Sequence, residues 1–141
     1  MALYTRGGDK GFTMLPGPDG SQSLRVRKDD ERLTALSELD ATMAALGLCH
    51  AEAVRCGDQE IAEGCETLTD HLFRAGAILA AIFGGAKPRV SLDQGTIDRL
   101  EQRIDRICDD LAPLSCFIAP GGSELAARLH QARATARRAE G

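Results

Sequence analysis

The chain has 141 residues, a formal net charge of -4 at neutral pH and a sequence pI near 5.4. This length predicts a single domain with one hydrophobic core, covering residues 1–141. The acidic balance excludes a general nucleic-acid binder, because that class is marked by a basic domain. The sequence shows no apolar run long enough to span a membrane and no hydrophobic signal segment over residues 1–6, so we expect a cytoplasmic protein.

The first segment, residues 1–28, is rich in Gly and Pro and is predicted to form an N-terminal arm. Within it, residues 24–27 suit a short strand or turn. Glycines at 7, 8 and 11 let the backbone approach a ligand closely, and side chains suited to a polyphosphate lie beside them: Thr5, Arg6, Lys10 and Thr13. Arg25, Arg27 and Lys28 extend the positive charge. A flexible glycine-rich terminus with a solvated charge run is the alternative.

Apolar periodicity predicts four helices after the arm, over about residues 29–55, 58–83, 93–111 and 123–140. Short connections indicate that neighbouring helices pack antiparallel. The third helix has the sharpest apolar pattern, which is typical of a bundle seam: Ile97, Leu100, Ile104, Ile107 and Leu111. The second helix carries a similar face: Leu68, Leu72, Ala75, Leu79 and Ile82. The fold class is therefore predicted to be all-α, an antiparallel helical bundle with a Gly-rich N-terminal arm.

Five cysteines occur without any Cys-x-x-Cys pair. An odd number in a chain without a secretion signal indicates free, mostly buried thiols. We therefore predict no metal site built by the protein and no catalytic cysteine.

One carboxylate of the first helix is in an unexpected place. Helical projection puts Asp40 inside an apolar arc made by Leu33, Leu36, Met43 and Gly47. An unpaired buried carboxylate costs several kcal/mol, so a cation should reach it from another helix or another subunit. Arg133 is the candidate. The alternative is a helix rotated so that Asp40 lies hydrated at the rim.

The fourth helix is predicted to begin after Ser123, a good N-cap that follows a Pro-Gly-Gly breaker. Its apolar stripe consists of Leu125, Leu129, Ala132 and Ala136. A polar stripe lies immediately beside it: His130, Arg133, Arg137 and Glu140. Polar groups that border a core converge on a ligand or a partner, whereas Arg128, Gln131 and Arg138 project to the far side, where solubility alone explains charge.

Three groups of motifs follow one another along the chain. They are the arm motif from Tyr4 to Thr13; Lys28-Asp29-Asp30-Glu31-Arg32 leading to Glu38-Leu39-Asp40; and Phe117-Ile118-Ala119-Pro120-Gly121-Gly122 with Leu129-His130-Gln131-Ala132-Arg133 and Arg137-Arg138-Ala139-Glu140. Together they resemble the ATP:cob(I)alamin (corrinoid) adenosyltransferases of the trimeric helical-bundle type. The resemblance implies that cobalt(I) of a reduced corrinoid attacks the 5′ carbon of ATP, giving adenosylcobalamin and triphosphate. It also implies Mg²⁺ on the phosphates, a homotrimer and a corrinoid reductase as a further partner.

The resemblance further implies roles for individual residues. ATP and its triphosphate are expected to contact Thr5, Arg6, Gly8, Asp9, Lys10, Gly11, Thr13, Lys28, His130, Arg137 and Glu140. Phe117 would occupy the space under the corrin and displace its lower nitrogen ligand, which makes cobalt(II) easier to reduce. Asp40 and Arg133 would pair across a subunit boundary. The expected catalytic residues are Asp40, Phe117, Arg133 and Arg137. Without the motif around it, Phe117 would be interpreted as an ordinary core residue.

The chain also departs from the family pattern. Where the family has Asp-Glu-Leu-Asn, this chain has Asp40-Ala41-Thr42-Met43. The sequence stops at Gly141, whereas the family continues into a fifth helix with an Asn-Arg-Leu-Ser-Asp segment, so we expect that helix to be lacking. Two alternatives to a working enzyme follow. One is a shortened, non-catalytic paralogue that binds ATP or corrinoid as a sensor or carrier, and the other is a purely structural helical oligomer.

Overall fold

The computed structural model describes residue 6, residues 8–18 and residues 23–141. Its elements are β1 (Phe12–Leu15), β2 (Leu24–Arg27), α1 (Glu31–Cys56), α2 (Gln59–Phe83), α3 (Gln94–Asp109) and α4 (Glu124–Glu140). The predicted helical bundle is confirmed, and each helix end lies within two residues of its predicted position. The strand at 24–27 is also confirmed, whereas β1 was not predicted. In the part of the chain described here, none of the helices combines the length and apolar character that a membrane crossing requires.

Local side chains fix where the helices begin. Asp30, Asp58, Asp93 and Ser123 each accept a hydrogen bond from a backbone N–H in the first turn of the helix that follows. These N-caps satisfy donors that have no partner inside a helix. At the other end of α1, Gly57 adopts a left-handed conformation with φ 78° and donates its N–H to the carbonyls of Ala53 and Val54.

The two strands form an antiparallel hairpin in which Phe12 lies opposite Arg27 and Leu15 lies opposite Leu24. The side chains of Leu15 and Val26 are buried. Directly after β1, the carbonyl of Pro16 approaches Gly84 so closely that a Cβ at this glycine would collide with it. The hairpin is therefore held against the C-terminal end of α2 by backbone contact.

α1 packs against both α2 and α4. The core that joins them is built largely from small side chains: Ala45, Leu46, Cys49, Cys65 and Ala132 in one cluster, and Ala53, Ala62 and Leu125 in a second. Small residues let helix axes approach closely. Leu125, near the start of α4, meets Ala53, while Arg138 near its end pairs with Glu38, so α4 runs antiparallel to α1.

The buried face of α1 is not the one expected around Asp40. The side chains it buries are Leu39, Thr42, Ala45, Leu46, Cys49, Glu52 and Ala53. Asp40 is exposed, next to half-buried Met43. The prediction that Asp40 lies inside the buried arc is wrong for a single chain, and the rotated helix is observed. The small side chains on the other face let α2 and α4 pack closely against it. On that face, the hydroxyl of Thr42 donates a hydrogen bond to the carbonyl of Glu38 at 2.8 Å.

α3 does not bury its apolar seam in a single chain. The side chain of Ile104 is 59% exposed, and those of Ile97, Ile107 and Leu111 are also exposed. α3 contacts α2 through Arg103, whose guanidinium donates to the carbonyl of Glu60 at 2.8 Å. The periodicity thus identified the helix correctly, but the expected packing of this seam is not observed.

The cysteines carry no disulfide, as predicted for free thiols. The expectation that most of them are buried is wrong. Cys49 and Cys65 lie in the core between α1 and α2, where burial raises the pKa of both thiols. The exposed ones are Cys56, Cys108 and Cys116, which lie at a helix end, on the open third helix and in the connection before α4.

Candidate functional site

The arm folds into a glycine turn that leads into β1. The N–H of Gly11 donates to the carbonyl of Gly8 at 3.2 Å, and Gly11 has a φ of 78°, which favours glycine. The N–H of Lys28 donates to the carbonyl of Gly11 at 2.9 Å. The end of β2 is thereby brought back to the turn, and two parts of the arm that are distant in sequence meet.

The side chain of Lys28 lies across this turn. A Cβ built at Gly8 would be 3.0 Å from the Nζ atom of Lys28, so the absence of a side chain at Gly8 lets the ammonium group lie close to the backbone of the turn. Asp9 and Lys10, at the tip of the turn, are exposed. The Lys28 ammonium over a glycine turn that also carries the exposed Lys10 forms a place where an anion can be held.

The neighbouring cations of β2 have local partners. The guanidinium of Arg25 stacks on the ring of Phe12, 4.0 Å from its centroid. Arg27 donates two hydrogen bonds to the carboxylate of Asp29, at 2.8 and 2.7 Å, which raises the pKa of Arg27 and lowers that of Asp29. Of the three cations expected to extend the positive charge, Lys28 is therefore the one that faces the glycine turn.

The remaining predicted residues of the arm lie around this turn. Arg6 is exposed and has a left-handed backbone with φ 55°. Thr13 is half-buried on β1, opposite Val26. Thr5 lies outside the described residues.

The polar stripe of α4 is present at the helix surface. Arg137 and Glu140 form an exposed ion pair at 2.7 Å, Arg133 is exposed, and His130 is half-buried. The assignment of Arg128 and Arg138 to a purely solvent-facing side is wrong. Arg138 pairs with Glu38 of α1 at 3.0 Å, and Arg128 is largely covered and pairs with Glu124 at 2.6 Å.

Asp40 and Arg133 are both exposed. Among the described residues, neither forms an ion pair or a side-chain hydrogen bond with the other. A pair between them within one chain is therefore not observed, and their pairing across a subunit boundary stays a prediction.

Phe117 is fully exposed. It lies in the connection between α3 and α4, so the interpretation of Phe117 as an ordinary core residue is wrong. A phenylalanine ring without cover in one chain offers a large apolar surface to a ligand or a second molecule.

The glycine turn and Phe117 belong to opposite ends of the bundle. The arm leads into the N-terminal end of α1, while the connection with Phe117 leads into α4 where Leu125 meets Ala53, near the C-terminal end of α1. The 17 residues of α4 span about 25 Å. Arg133 and Arg137 lie toward the other end of α4, nearer the arm.

Sequence reasoning missed one buried charge. Glu52 is 6% exposed, and its carboxylate accepts two hydrogen bonds from Arg55, at 2.8 and 2.6 Å. Its position three residues after Cys49 places it on the buried face of α1, and this spacing is the signal that could have identified it.

Comparisons with known proteins agree with this architecture. The family model for cobalamin adenosyltransferase matches residues 3–141. A corrinoid adenosyltransferase from Mycobacterium leprae is 40% identical over 143 residues, which cover 98% of this chain and 71% of that protein. One from Bacillus subtilis is 35% identical over 141 residues, covering 99% of this chain and 69% of that protein.

A solved structure gives the same result. A variant of the PduO-type ATP:corrinoid adenosyltransferase from Lactobacillus reuteri, complexed with cobalamin and ATP, matches with a TM-score of 0.83 at 30% identity. The match covers 99% of this chain and 74% of that one. The fold is thus that of a helical-bundle adenosyltransferase. This chain belongs to the cobalamin adenosyltransferase family, and the resemblance seen in its motifs is confirmed.

Proposed function

We propose that this protein transfers the 5′-deoxyadenosyl group of ATP to the cobalt(I) of a reduced corrinoid. The cobalt(I) electron pair forms the cobalt–carbon bond, the bond between C5′ and its phosphate oxygen breaks, and that electron pair leaves on triphosphate. The observation that carries the proposal is the ammonium of Lys28 over the turn from Gly8 to Gly11, in a chain whose residues 3–141 match the family.

The release of triphosphate requires the stabilisation of negative charge. Triphosphate leaves with several negative charges, so cations and N–H groups placed beforehand lower the barrier. Lys28 and Lys10 in the arm would supply two of these charges, and Arg137 of α4 a third. The guanidinium of Arg137 forms an ion pair with Glu140 at 2.7 Å, which restricts the conformations of the Arg137 side chain.

The residues at this site suit a Mg²⁺ ion that is bound together with the phosphates of ATP. The described residues contain no group of three or more His, Cys, Asp or Glu that could hold a metal ion by themselves. Mg²⁺ is usually bound by one or two carboxylates together with substrate phosphates. Asp9, exposed at the tip of the glycine turn, would supply such a carboxylate.

The corrinoid half of the reaction would use Phe117. An exposed phenylalanine ring can cover the lower face of a corrin and exclude its nitrogen ligand and water. In support, the Lactobacillus reuteri enzyme was solved as variants of a phenylalanine and of an arginine that are as far apart in that chain as Phe117 and Arg137 are here. A reductase that supplies electrons to cobalt(II) is the further partner that this chemistry requires.

A complete site would be shared between chains. Phe117 and the glycine turn belong to opposite ends of one bundle, and Asp40 and Arg133 lack each other as partners within the described chain. We propose a homotrimer in which Asp40 of one chain pairs with Arg133 of the next. That contact would join the arm end of the first chain to Arg133 and Arg137 of the second.

A second function is favoured by the residues that follow Asp40. Ala41 and Met43 carry no polar group, and Thr42 is buried with its hydroxyl bound to Glu38. The polar network that the family motif places there is therefore thinner. A protein that binds ATP or corrinoid as a sensor or carrier, without chemistry, would tolerate this loss.

Titration with ATP by calorimetry, with and without Mg²⁺, tests the proposal. Lys10→Ala and Arg137→Ala should each weaken binding by roughly 10- to 100-fold, because charge-assisted hydrogen bonds contribute about 1.5–3 kcal/mol. Thermal stability should change little, since these groups are exposed. Arg74→Ala, which removes an exposed ion pair with Asp70 on α2, is the matched control.

The outcomes of the titration and of an activity assay distinguish the enzyme from the carrier. Absence of ATP binding would reject both the enzyme and the nucleotide carrier. ATP binding followed by formation of adenosylcobalamin from reduced cobalamin, observed by absorption spectroscopy, supports the enzyme. Binding without that product supports the carrier.

A further inference from the structure

Arg32, in the first turn of α1, joins three parts of the chain. Its Nε and Nη2 atoms donate to the two carboxylate oxygens of Asp30 at 2.8 and 2.7 Å. Its Nη1 atom donates to the carbonyl of Phe83, the last residue of α2, at 3.2 Å. A carbonyl at the end of a helix lacks a partner within that helix, so this bond satisfies a group that would otherwise need water. The planar guanidinium fork serves both partners at once.

Backbone hydrogen bonds continue from Asp30 to the glycine turn. The N–H of Asp30 donates to the carbonyl of Arg27 at 3.2 Å. The N–H of the intervening residue, Lys28, donates to the carbonyl of Gly11 at 2.9 Å. An unbroken series of contacts therefore runs from the end of α2 through Arg32 and the turn before α1 to the place where Lys28 crosses Gly8.

We infer that Arg32 is a positioning residue for Lys28, because it anchors the junction of arm and α1 to the end of α2 and so holds the Lys28 ammonium over the glycine turn. This inference rests on the proposed function, in which that ammonium binds the phosphates of ATP. α2 is a suitable anchor because it is a 25-residue helix packed along α1. The hairpin's own contact with α2, between Pro16 and Gly84, lies at the opposite end of the strands from Lys28, so it does not hold that residue directly.

Arginine is required at this position for a geometric reason. A lysine could keep an ion pair with Asp30, but its single ammonium cannot make two parallel bonds to the carboxylate while also reaching the Phe83 carbonyl. Without the bond to α2, residues 28–30 can shift as a unit. The Lys28 side chain is exposed and would then lose its position over Gly8.

The test compares Arg32→Gln and Arg32→Lys with Arg74→Gln, which removes an exposed ion pair elsewhere on α2. We expect both Arg32 variants to raise the Kd and the KM for ATP by about tenfold, roughly the loss of one charge-assisted contact, without changing the KM for the corrinoid. A melting curve for each variant sets a measuring temperature at which all are folded. ATP affinity equal to that of Arg74→Gln at this temperature would overturn the inference.

A double-variant cycle shows whether Arg32 acts through Lys28. In a Lys28→Ala background, Arg32→Gln should cause no further loss of ATP affinity, because the ammonium it positions is gone. The same tenfold loss in both backgrounds would assign Arg32 an independent effect and overturn the inference. An unmodified protein that does not bind ATP would reject the proposed function itself, and the inference with it.

Discussion

Asp30 has two roles at the start of α1. Its side chain accepts the N–H of Arg32 as the helix cap, at 3.0 Å, and it forms the ion pair with the Arg32 guanidinium. Hydrogen bonds from this guanidinium and from the backbone lower the pKa of Asp30 from 3.8 to about 2. Both kinds of hydrogen bond favour the charged carboxylate in the folded protein.

The Asp30 ion pair should therefore make stability depend on acid pH. Because the pKa is lower in the folded state, the contribution is fully present above about pH 4 and is lost as the pH falls through about 2. Asp30→Asn keeps a good helix cap but removes the charge. Urea unfolding of both proteins should show a stability difference at pH 6 that shrinks as the pH falls toward about 2 and disappears below it. A difference that is constant over this range would contradict the assignment.

At the residue scale, the sequence could predict the kinds of side chain in the site but not which of them would be free. Arg25, Arg27 and Lys28 look equivalent in sequence. Strand register decides that Arg25 stacks on Phe12, and Asp29 lies within reach of Arg27. Asp40 was misplaced because α1 has two adjacent faces rich in apolar residues, and periodicity alone does not say which face a single chain buries.

The elements were predicted well where their signals are local. All four helices have clear caps, and their ends were placed to within two residues. β1 was missed because four residues between glycines and prolines carry too little alternation, and the strand exists through its pairing with β2. The seam of α3 shows the opposite case, since periodicity identifies an apolar face without saying what covers it.

The contact between the hairpin and α2 gives a prediction for Gly84. A Cβ at this position meets the backbone carbonyl of Pro16, which cannot rotate away. Gly84→Ala should therefore destabilise the fold by about 1–3 kcal/mol or more, as expected for overpacking, and loosen the hairpin. The measurement is the midpoint of urea unfolding.

Gly76→Ala, inside the helix that Gly84 caps, is the matched control. Its added Cβ would lie 3.9 Å from a side-chain carbon of Leu39, an ordinary contact, and alanine favours a helix over glycine. This variant should be as stable as the unmodified protein or slightly more so. Equal stability of the two variants would show that the hairpin is free to move away from α2.

At the scale of the whole molecule, several exposed surfaces of one chain concern its assembly with other chains. Asp40 and Arg133 are exposed here, and the apolar seam of α3 and Phe117 are uncovered. These features are what a subunit interface or a bound ligand would cover. The sequence suggested a partner for Asp40 from another subunit, but the contacts between chains depend on surfaces that helical periodicity does not distinguish.

Removal of the Asp40 carboxylate should shift the proposed trimer toward smaller species. If the pair is buried between subunits, the Arg133 charge left alone costs about 3–5 kcal/mol. Asp40→Ala would show this shift in analytical ultracentrifugation, whereas Asp70→Ala, in an exposed pair on α2, would not. A monomeric unmodified protein under the same conditions would refute the trimer.

The opposite placement of the glycine turn and Phe117 has a genetic consequence. If every site takes its arm from one subunit and its phenylalanine from the next, two defective alleles can complement each other. Chains carrying Lys10→Ala and chains carrying Phe117→Ala would each have low activity at ATP concentrations well below the raised Kd of Lys10→Ala, yet random mixed trimers would hold about a quarter of their sites with both parts intact. Coexpression should therefore give more activity than either allele has by itself, whereas a site built within one chain would give no such gain.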